Sequence, residues 1–307
     1  MLRAKENERL TRVGPGTLAG ELLRRYWHPI AVATELKDNP IKRVRILGED
    51  LVLYRGNNGQ YGVVAERCSH RGASLAYGEI EGPNIRCPYH GWLYSPQGRC
   101  LEQPAEPPNS TYKDRIRHPA YPVQKVAGLL FAYMGPKPTP LLPRYDVLVR
   151  TDGERRIVVL PPLECNWLQP MENSVDPTHT TYLHFGGVKR PVHGDEKREI
   201  ARHEFEVFEY GIMKKRFVQD GDGNPVLVNA HPLVFPNMLR VGSGFQYRVP
   251  IDDHNTLHVY YTVHIMPDGR AVPKQDRIPF YEVPVPLPDK EGRLDWTLLD
   301  SNGGQDM

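Results

Sequence analysis

The chain has 307 residues, with 39 basic side chains against 37 acidic ones and a formal net charge of +2 when its 12 His are neutral. That balance excludes the dense basic stripe of a nucleic-acid binder, while 39% hydrophobic and 25% charged residues describe a folded chain long enough for one large or two ordinary domains. Four Cys exclude a disulfide scaffold, and 30 Pro with 27 Gly, scattered rather than gathered in a tract, favour many turns and short strands over long helices. In chain order, Met1 to Val13 is charged throughout and lacks the apolar stretch of a signal peptide. No run of about 18 apolar residues follows, so a cytoplasmic protein with no membrane segment is expected. Gly20 to Val32 is expected to begin with a short helix, Leu22, Leu23, Tyr26 and Trp27 giving a partial helical stripe before Pro29. From Lys42 the texture becomes short β-branched and aromatic runs, Val44 to Leu47, Leu51 to Tyr54 and Tyr61 to Ala65, divided by Gly48-Glu49-Asp50 and Gly56-Asn57-Asn58-Gly59. That pattern predicts hairpins. Further strands are expected over Gly91 to Tyr94 and Gly128 to Met134, with an exit linker in the Pro-rich Gly135 to Pro143 and a domain boundary near 138–150. Beyond it, Glu164 to His184 is the convincing helical stretch. Strands are expected at Glu206 to Tyr210, Met213 to Gln219, Leu239 to Val241, Phe245 to Val249 and Leu257 to Met266, so the second half reads as mixed α+β.

Two constellations carry chemistry. The first is Cys68-Ser69-His70, followed after 16 residues by Cys87-Pro88-Tyr89-His90, so each of two short loops offers one thiolate and one imidazole beside a glycine suited to a tight turn, Gly72 or Gly91. A Rieske 2Fe-2S centre uses that set, with two Cys on one iron and two His on the other. Neutral imidazoles raise its potential to between about −150 and +300 mV, against about −400 mV for an all-Cys plant-type cluster. The alternative with the same ligand count is a structural Cys2His2 zinc site. Zinc fingers usually pair Cys with Cys and His with His, whereas the alternating order here lets each loop serve both irons. Cys100 and Cys165 are left over and read as buried free thiols.

The second constellation is Asp176, His179 and His184. Asp176 and His179, three apart, are expected on one helix face, while His184 would point away on a regular helix. Pro177 removes a backbone donor, so the helix should kink or widen before His179, turning both imidazoles toward one point. With a carboxylate from elsewhere, two His make the facial triad of a non-haem Fe(II) site, leaving positions free for oxygen.

Cys68-Ser69-His70-Arg71-Gly72-Ala73 with Cys87-Pro88-Tyr89-His90-Gly91-Trp92 resembles the Rieske domain of bacterial ring-hydroxylating oxygenases. Respiratory-chain Rieske proteins fit less well, because each ligand loop there carries a further Cys and the comparable second-loop position here is Tyr89. The segment around His179 resembles the catalytic-domain motif of the same oxygenases. The likeness is greatest to the phthalate dioxygenase and aromatic O-demethylase group, through Val13-Gly14-Pro15-Gly16-Thr17, Arg25-Tyr26-Trp27-His28-Pro29 and Tyr133-Met134-Gly135-Pro136.

The resemblance implies an α+β chain. A helical segment at 1–26 precedes an all-β Rieske 2Fe-2S domain at 27–140 and an antiparallel-sheet, helix-grip catalytic domain at 141–307 that is incomplete at its C-terminal end. It implies Cys68, His70, Cys87 and His90 as cluster ligands, and His179 and His184 as ligands of a mononuclear Fe(II). Asp176 becomes the carboxylate joining an iron-bound His to a Rieske His of the neighbouring subunit in a homotrimer. The partners implied are an NAD(P)H-dependent flavin/iron-sulfur reductase, O2 and a small aromatic substrate that is hydroxylated or O-demethylated. For the third iron ligand the candidates are Asp295, Asp300 and Asp306. Gln305-Asp306-Met307 matches the Gln-Asp pair that opens the ligand-bearing helix of the group, which favours Asp306. The chain stops at Met307, where comparable members continue, so a C-terminally truncated reading is expected, and the chain itself need not be active. The alternative function is a Rieske-type electron-transfer protein without oxygenase activity. Phe235, Asn237 and Phe245 fall where pocket-lining strands are expected, without an assigned role.

Overall fold

Short runs of β-branched residues separated by turn glycines build the first half of the chain as three small antiparallel sheets. The computed structural model describes residues 2–180, 183, 200–284 and 287–293. The helix Ala4–Thr11 buries none of its residues, and the helix Leu18–Leu23, capped by the Thr17 hydroxyl on the Gly20 amide, buries Ala19, Gly20 and Leu23. The helical stripe expected through Trp27 therefore stops at Leu23, and Trp27 opens a strand, β1 (Trp27–Val32). Pro29 is compatible with that strand because β1 pairs on one side only, so a missing amide costs no second ladder bond. The hairpins written into the next residues form as β2 (Ile41–Ile46), β3 (Glu49–Arg55) and β4 (Tyr61–Ala65), with Gly48 at φ 77° and Gly59 at φ 82° in the left-handed region that glycine alone adopts freely.

Four very short strands follow: β5 (Glu79–Glu81), β6 (Asn84–Arg86), β7 (Leu93–Tyr94) and β8 (Cys100–Glu102) make a sheet of their own in that order. Next, β9 (Ala120–Tyr121) returns to the first sheet as β2-β3-β4-β9. The strands β10 (Val123–Val126) and β11 (Leu129–Tyr133) complete the third as β1-β11-β10.

The described strands of the second half form one eight-stranded sheet. It contains β12 (Gly153–Val159), β13 (Ile200–Phe208), β14 (Gly211–Gln219), β15 (Pro225–Val234), β16 (Met238–Val241), β17 (Gly244–Pro250), β18 (Thr256–Ile265) and β19 (Phe280–Glu282) in the order β13-β14-β15-β16-β17-β18-β12-β19. Among the described residues, only the β12–β19 pairing is parallel. Three of these strands are not among the expected ones: β12 carries Glu154, Arg155 and Arg156, β15 contains Pro225 and Pro232, which argue against a strand locally, and β19 is only three residues long. Tertiary pairing with β18 and with β14 and β16 overrides the charge and proline signals.

The halves share a core. Leu23, Trp27, Val32 and Phe131 belong to the same buried cluster as Ile157, Phe245, Tyr247 and Tyr261. Backbone bonds cross the seam from the Leu47 amide to the Pro250 carbonyl (3.0 Å) and from Gly48 to Ile251 (2.9 Å). His28, fully buried, crosses it as well. Its Nε2 lies 2.8 Å from the Leu23 carbonyl and must carry the hydrogen, so Nδ1 accepts from the Asn237 amide at 3.2 Å. Burial is the main reason its pKa falls to about 4. A smaller, separate cluster packs Cys68, Cys87, Trp92, Tyr94 and Cys100 with Val52, Tyr54 and Ile85. Among the described residues, no helix is long and apolar enough to cross a membrane.

Candidate metal centres

The two Cys/His loops are built alike. In the first, which follows β4, the Cys68 amide donates to the Ala73 carbonyl (2.9 Å) and the Gly72 amide to the Cys68 carbonyl (2.9 Å). In the second, which follows β6, the Cys87 amide donates to Trp92 (2.8 Å) and the Gly91 amide to Cys87 (3.1 Å). Each turn is closed by its own backbone, and each requires a glycine four residues after the Cys, at φ 73° for Gly72 and φ 71° for Gly91. A side chain at Gly91 would in addition meet the Pro104 ring at 3.0 Å.

The four expected ligands divide by chemistry. Cys68 and Cys87 are 4% and 3% exposed, whereas His70 is exposed and His90 half-buried. The Tyr94 hydroxyl lies 3.2 Å from the Cys68 sulfur, and the amides of Tyr89 and His90 are hydrogen-bonded to the Cys87 sulfur. Burial, opposed by those amides and aided by the nearby Cys68, raises the Cys87 pKa, so a thiolate there calls for a positive partner. The imidazoles face each other edge to face at 4.6 Å. His70 lies parallel to the Trp92 indole at 4.5 Å, and Tyr89 packs on His90 at 3.8 Å. Desolvation, with His90 and Arg71, lowers the His70 pKa and favours the neutral ring that binds metal. Among the described residues, no three His, Cys, Asp or Glu converge as the ligand set of a single ion. Two buried thiols and two more exposed imidazoles, one of each per loop, are the donor set that a two-iron group with two ligands per iron takes. Cys100 is buried as expected, its pKa pushed up to about 11 chiefly by desolvation; Cys165 is only half-buried.

The second constellation corrects one expectation. The helix spans Leu168–Val175, not the whole of Glu164 to His184, and Asp176 leaves it at φ −69°, ψ 117°. Helical backbone resumes at Thr178 and His179 and widens to a π turn at Thr180. Asp176 caps that new start, with its carboxylate accepting from the Thr178 amide (2.7 Å) and the His179 amide (3.2 Å) and one oxygen 3.4 Å from His179 Nδ1. Asp176 and His179 meet, but by capping across a break rather than by sharing a helix face. Burial would raise the Asp176 pKa; the two amides and the His179 ring outweigh it and hold the carboxyl below its ordinary value. The sheet braces this segment: Lys214 Nζ on β14 donates to the Ser174 carbonyl at 2.7 Å, and Arg216 reaches the Thr180 hydroxyl at 3.2 Å. His184 and the three candidate carboxylates, Asp295, Asp300 and Asp306, lie outside the described residues.

Phe235 and Asn237 line a cavity of only about 50 Å³, too small for an aromatic substrate given that roughly 150 Å³ accommodates benzene, and Phe245 is a core residue against Tyr145. The supporting residues Tyr94 and Lys214 carry no motif in the sequence. Their only signal is a polar side chain within a β strand.

Residues 26–122 match the Rieske [2Fe-2S] domain family, so the paired loops lie in an iron-sulfur domain. Over 303 residues the chain is 41% identical to the 5,5'-dehydrodivanillate O-demethylase oxygenase subunit of Sphingobium sp., covering 96% of this chain and 70% of that protein. It is 38% identical over 271 residues to the phenoxybenzoate dioxygenase subunit alpha of Ectopseudomonas oleovorans, covering 80% of this chain and 65% of that one. The fold matches dicamba monooxygenase bound to dicamba, at TM-score 0.62 and 17% identity over 78% of this chain and 77% of that one. It also matches the oxygenase of a carbazole 1,9a-dioxygenase ferredoxin complex, at TM-score 0.59 and 24% identity over 80% of this chain and 73% of that one. The chain belongs to the Rieske non-haem iron oxygenases, as an oxygenase alpha subunit.

Proposed function

We propose that Cys68 and Cys87 bind one iron and His70 and His90 the other iron of a Rieske 2Fe-2S cluster. In this reading His179, with His184 and Asp306, binds a mononuclear Fe(II), and Asp176 links an iron-bound His to a Rieske His of a neighbouring subunit in a homotrimer. The division into 1–26, 27–140 and 141–307 and a cytoplasmic location belong to the same reading. When bound, the cluster would relay single electrons from an NAD(P)H-dependent reductase and the mononuclear iron would activate O2. The chain's own contribution is to bury two thiols behind an exposed and a half-buried imidazole and to orient His179 through the Asp176 carboxylate. The substrate is a small aromatic compound that is hydroxylated or O-demethylated, in line with the names of the two relatives above.

One observation carries the reading: the donor pairs and the Asp176–His179 contact occur in one chain that aligns with an oxygenase subunit over 96% of its length. An electron-transfer protein would have no use for the second site. The test supplies the protein with a competent reductase, O2 and a panel of methoxylated and carboxylated aromatics. Hydroxylated or demethylated product formed in proportion to NAD(P)H consumed is expected; NAD(P)H oxidation without product across the panel would favour the electron-transfer alternative.

A further inference from the structure

We infer that His118 is a positioning residue of the cluster site, holding the first ligand loop and the tyrosine on its sulfur in one unit; this rests on the ligand assignment above. His118 is 3% exposed, and both ring nitrogens are engaged. Nε2 lies 2.9 Å from the Ala65 carbonyl, which can only accept, so Nε2 carries the hydrogen and Nδ1 accepts from the Ser69 hydroxyl at 2.8 Å. Ala65 is the last residue of β4, and Ser69 stands between Cys68 and His70. The imidazole thus spans the loop from its anchoring strand to its two ligands.

The ring is itself fixed. The His118 amide donates to the Gly98 carbonyl at 2.7 Å, and a Cβ on Gly98, at φ 75°, would stand against the His118 carbonyl oxygen, so only glycine permits the approach. On its face His118 packs against the Tyr94 ring, with centroids 4.6 Å apart and planes at 30°. Tyr94 is fully buried, and the Cys68 sulfur is the hydrogen-bond partner of its hydroxyl. The position of that hydroxyl is therefore set by how the ring is wedged, with His118 on one side and Trp92 nearby at 6.4 Å. Through Ser69 the same imidazole constrains the His70 side of the loop, where His70 stacks on Trp92. A hydrogen bond to a cluster sulfur favours the reduced, more negative state, so loosening it lowers the potential.

The experiment is a double-mutant cycle read by midpoint potential and EPR on the purified chain with its cluster. Tyr94→Phe removes the bond to sulfur and is expected to lower the potential. His118→Leu is expected to keep iron and sulfide content, to lower the potential, to alter the rhombic EPR signal, and to have less than its full effect when added to Tyr94→Phe. His118→Gln, which can still donate to Ala65, should recover part of the loss. If His118→Leu does not hold a cluster, Ser69→Ala carries the test, since it removes only one arm of the bridge and should give a smaller shift in the same direction. Unchanged potential and EPR signal in the His118 or Ser69 variants, with Tyr94→Phe shifting normally, would overturn the inference and leave the ligands standing. Absence of a rhombic Rieske signal in the unaltered protein would instead overturn the ligand assignment.

Discussion

The cluster loops and the Asp176–His179 segment both have to hold a histidine in one orientation, and they do it by opposite means. Each cluster loop closes on itself through two backbone bonds within six residues and a left-handed glycine. The second segment has no such closure. Its helix breaks at Asp176, the break is re-capped by the same carboxylate, and it is held from β14, 40 residues on in the case of Lys214. A ligand loop of the first kind is a local object that sequence spacing can specify, whereas the second exists only once the sheet is in place.

The largest expected effect breaks the first region outright. Replacing Cys68 or Cys87 with Ser, or His70 or His90 with Ala, should abolish the visible absorption and rhombic EPR signal of the cluster; a variant retaining both would remove that residue from the ligand set. Next comes the seam between the halves. Folded His28 has a pKa of about 4 against an ordinary 6.5, so the unfolded chain binds its proton first and stability falls as pH drops from 6.5 toward 4. The loss approaches about 3 kcal/mol from this residue alone. Urea unfolding across that pH range should show the slope, and His28→Gln should flatten it.

The second region is tested at Asp176. Asp176→Asn can still cap the helical turn but lacks the charge, so both metals should stay bound while turnover falls by about 10–100-fold. Unchanged turnover would refute the bridging role. The smallest effect sharpens the comparison within the first region. Gly72→Ala should cost about 1–2 kcal/mol from left-handed strain alone, and Gly91→Ala more, because its new methyl also meets Pro104. Equal losses in thermal unfolding would show that Pro104 yields freely.

The amino-acid sequence by itself determined the elements whose signals are local: the β2–β4 hairpins, the two glycine-closed Cys/His turns, and the proximity of Asp176 to His179. Turn chemistry and ligand spacing act over a few residues, so they are legible without the fold. Tertiary structure decided the rest. It made Trp27 part of an edge strand, and it turned the charged Gly153–Val159 and the proline-bearing Pro225–Val234 into strands by pairing. It placed Phe235 and Asn237 beside a small cavity lined also by Trp27 and Phe131, and it brought His118 to Ser69 across 49 residues and Lys214 to Ser174 across 40. Those contacts join residues far apart in the chain, and nothing local distinguishes a buried polar side chain that braces a site from one that is simply exposed. Only the packing that removes water from both ends of the contact makes the difference.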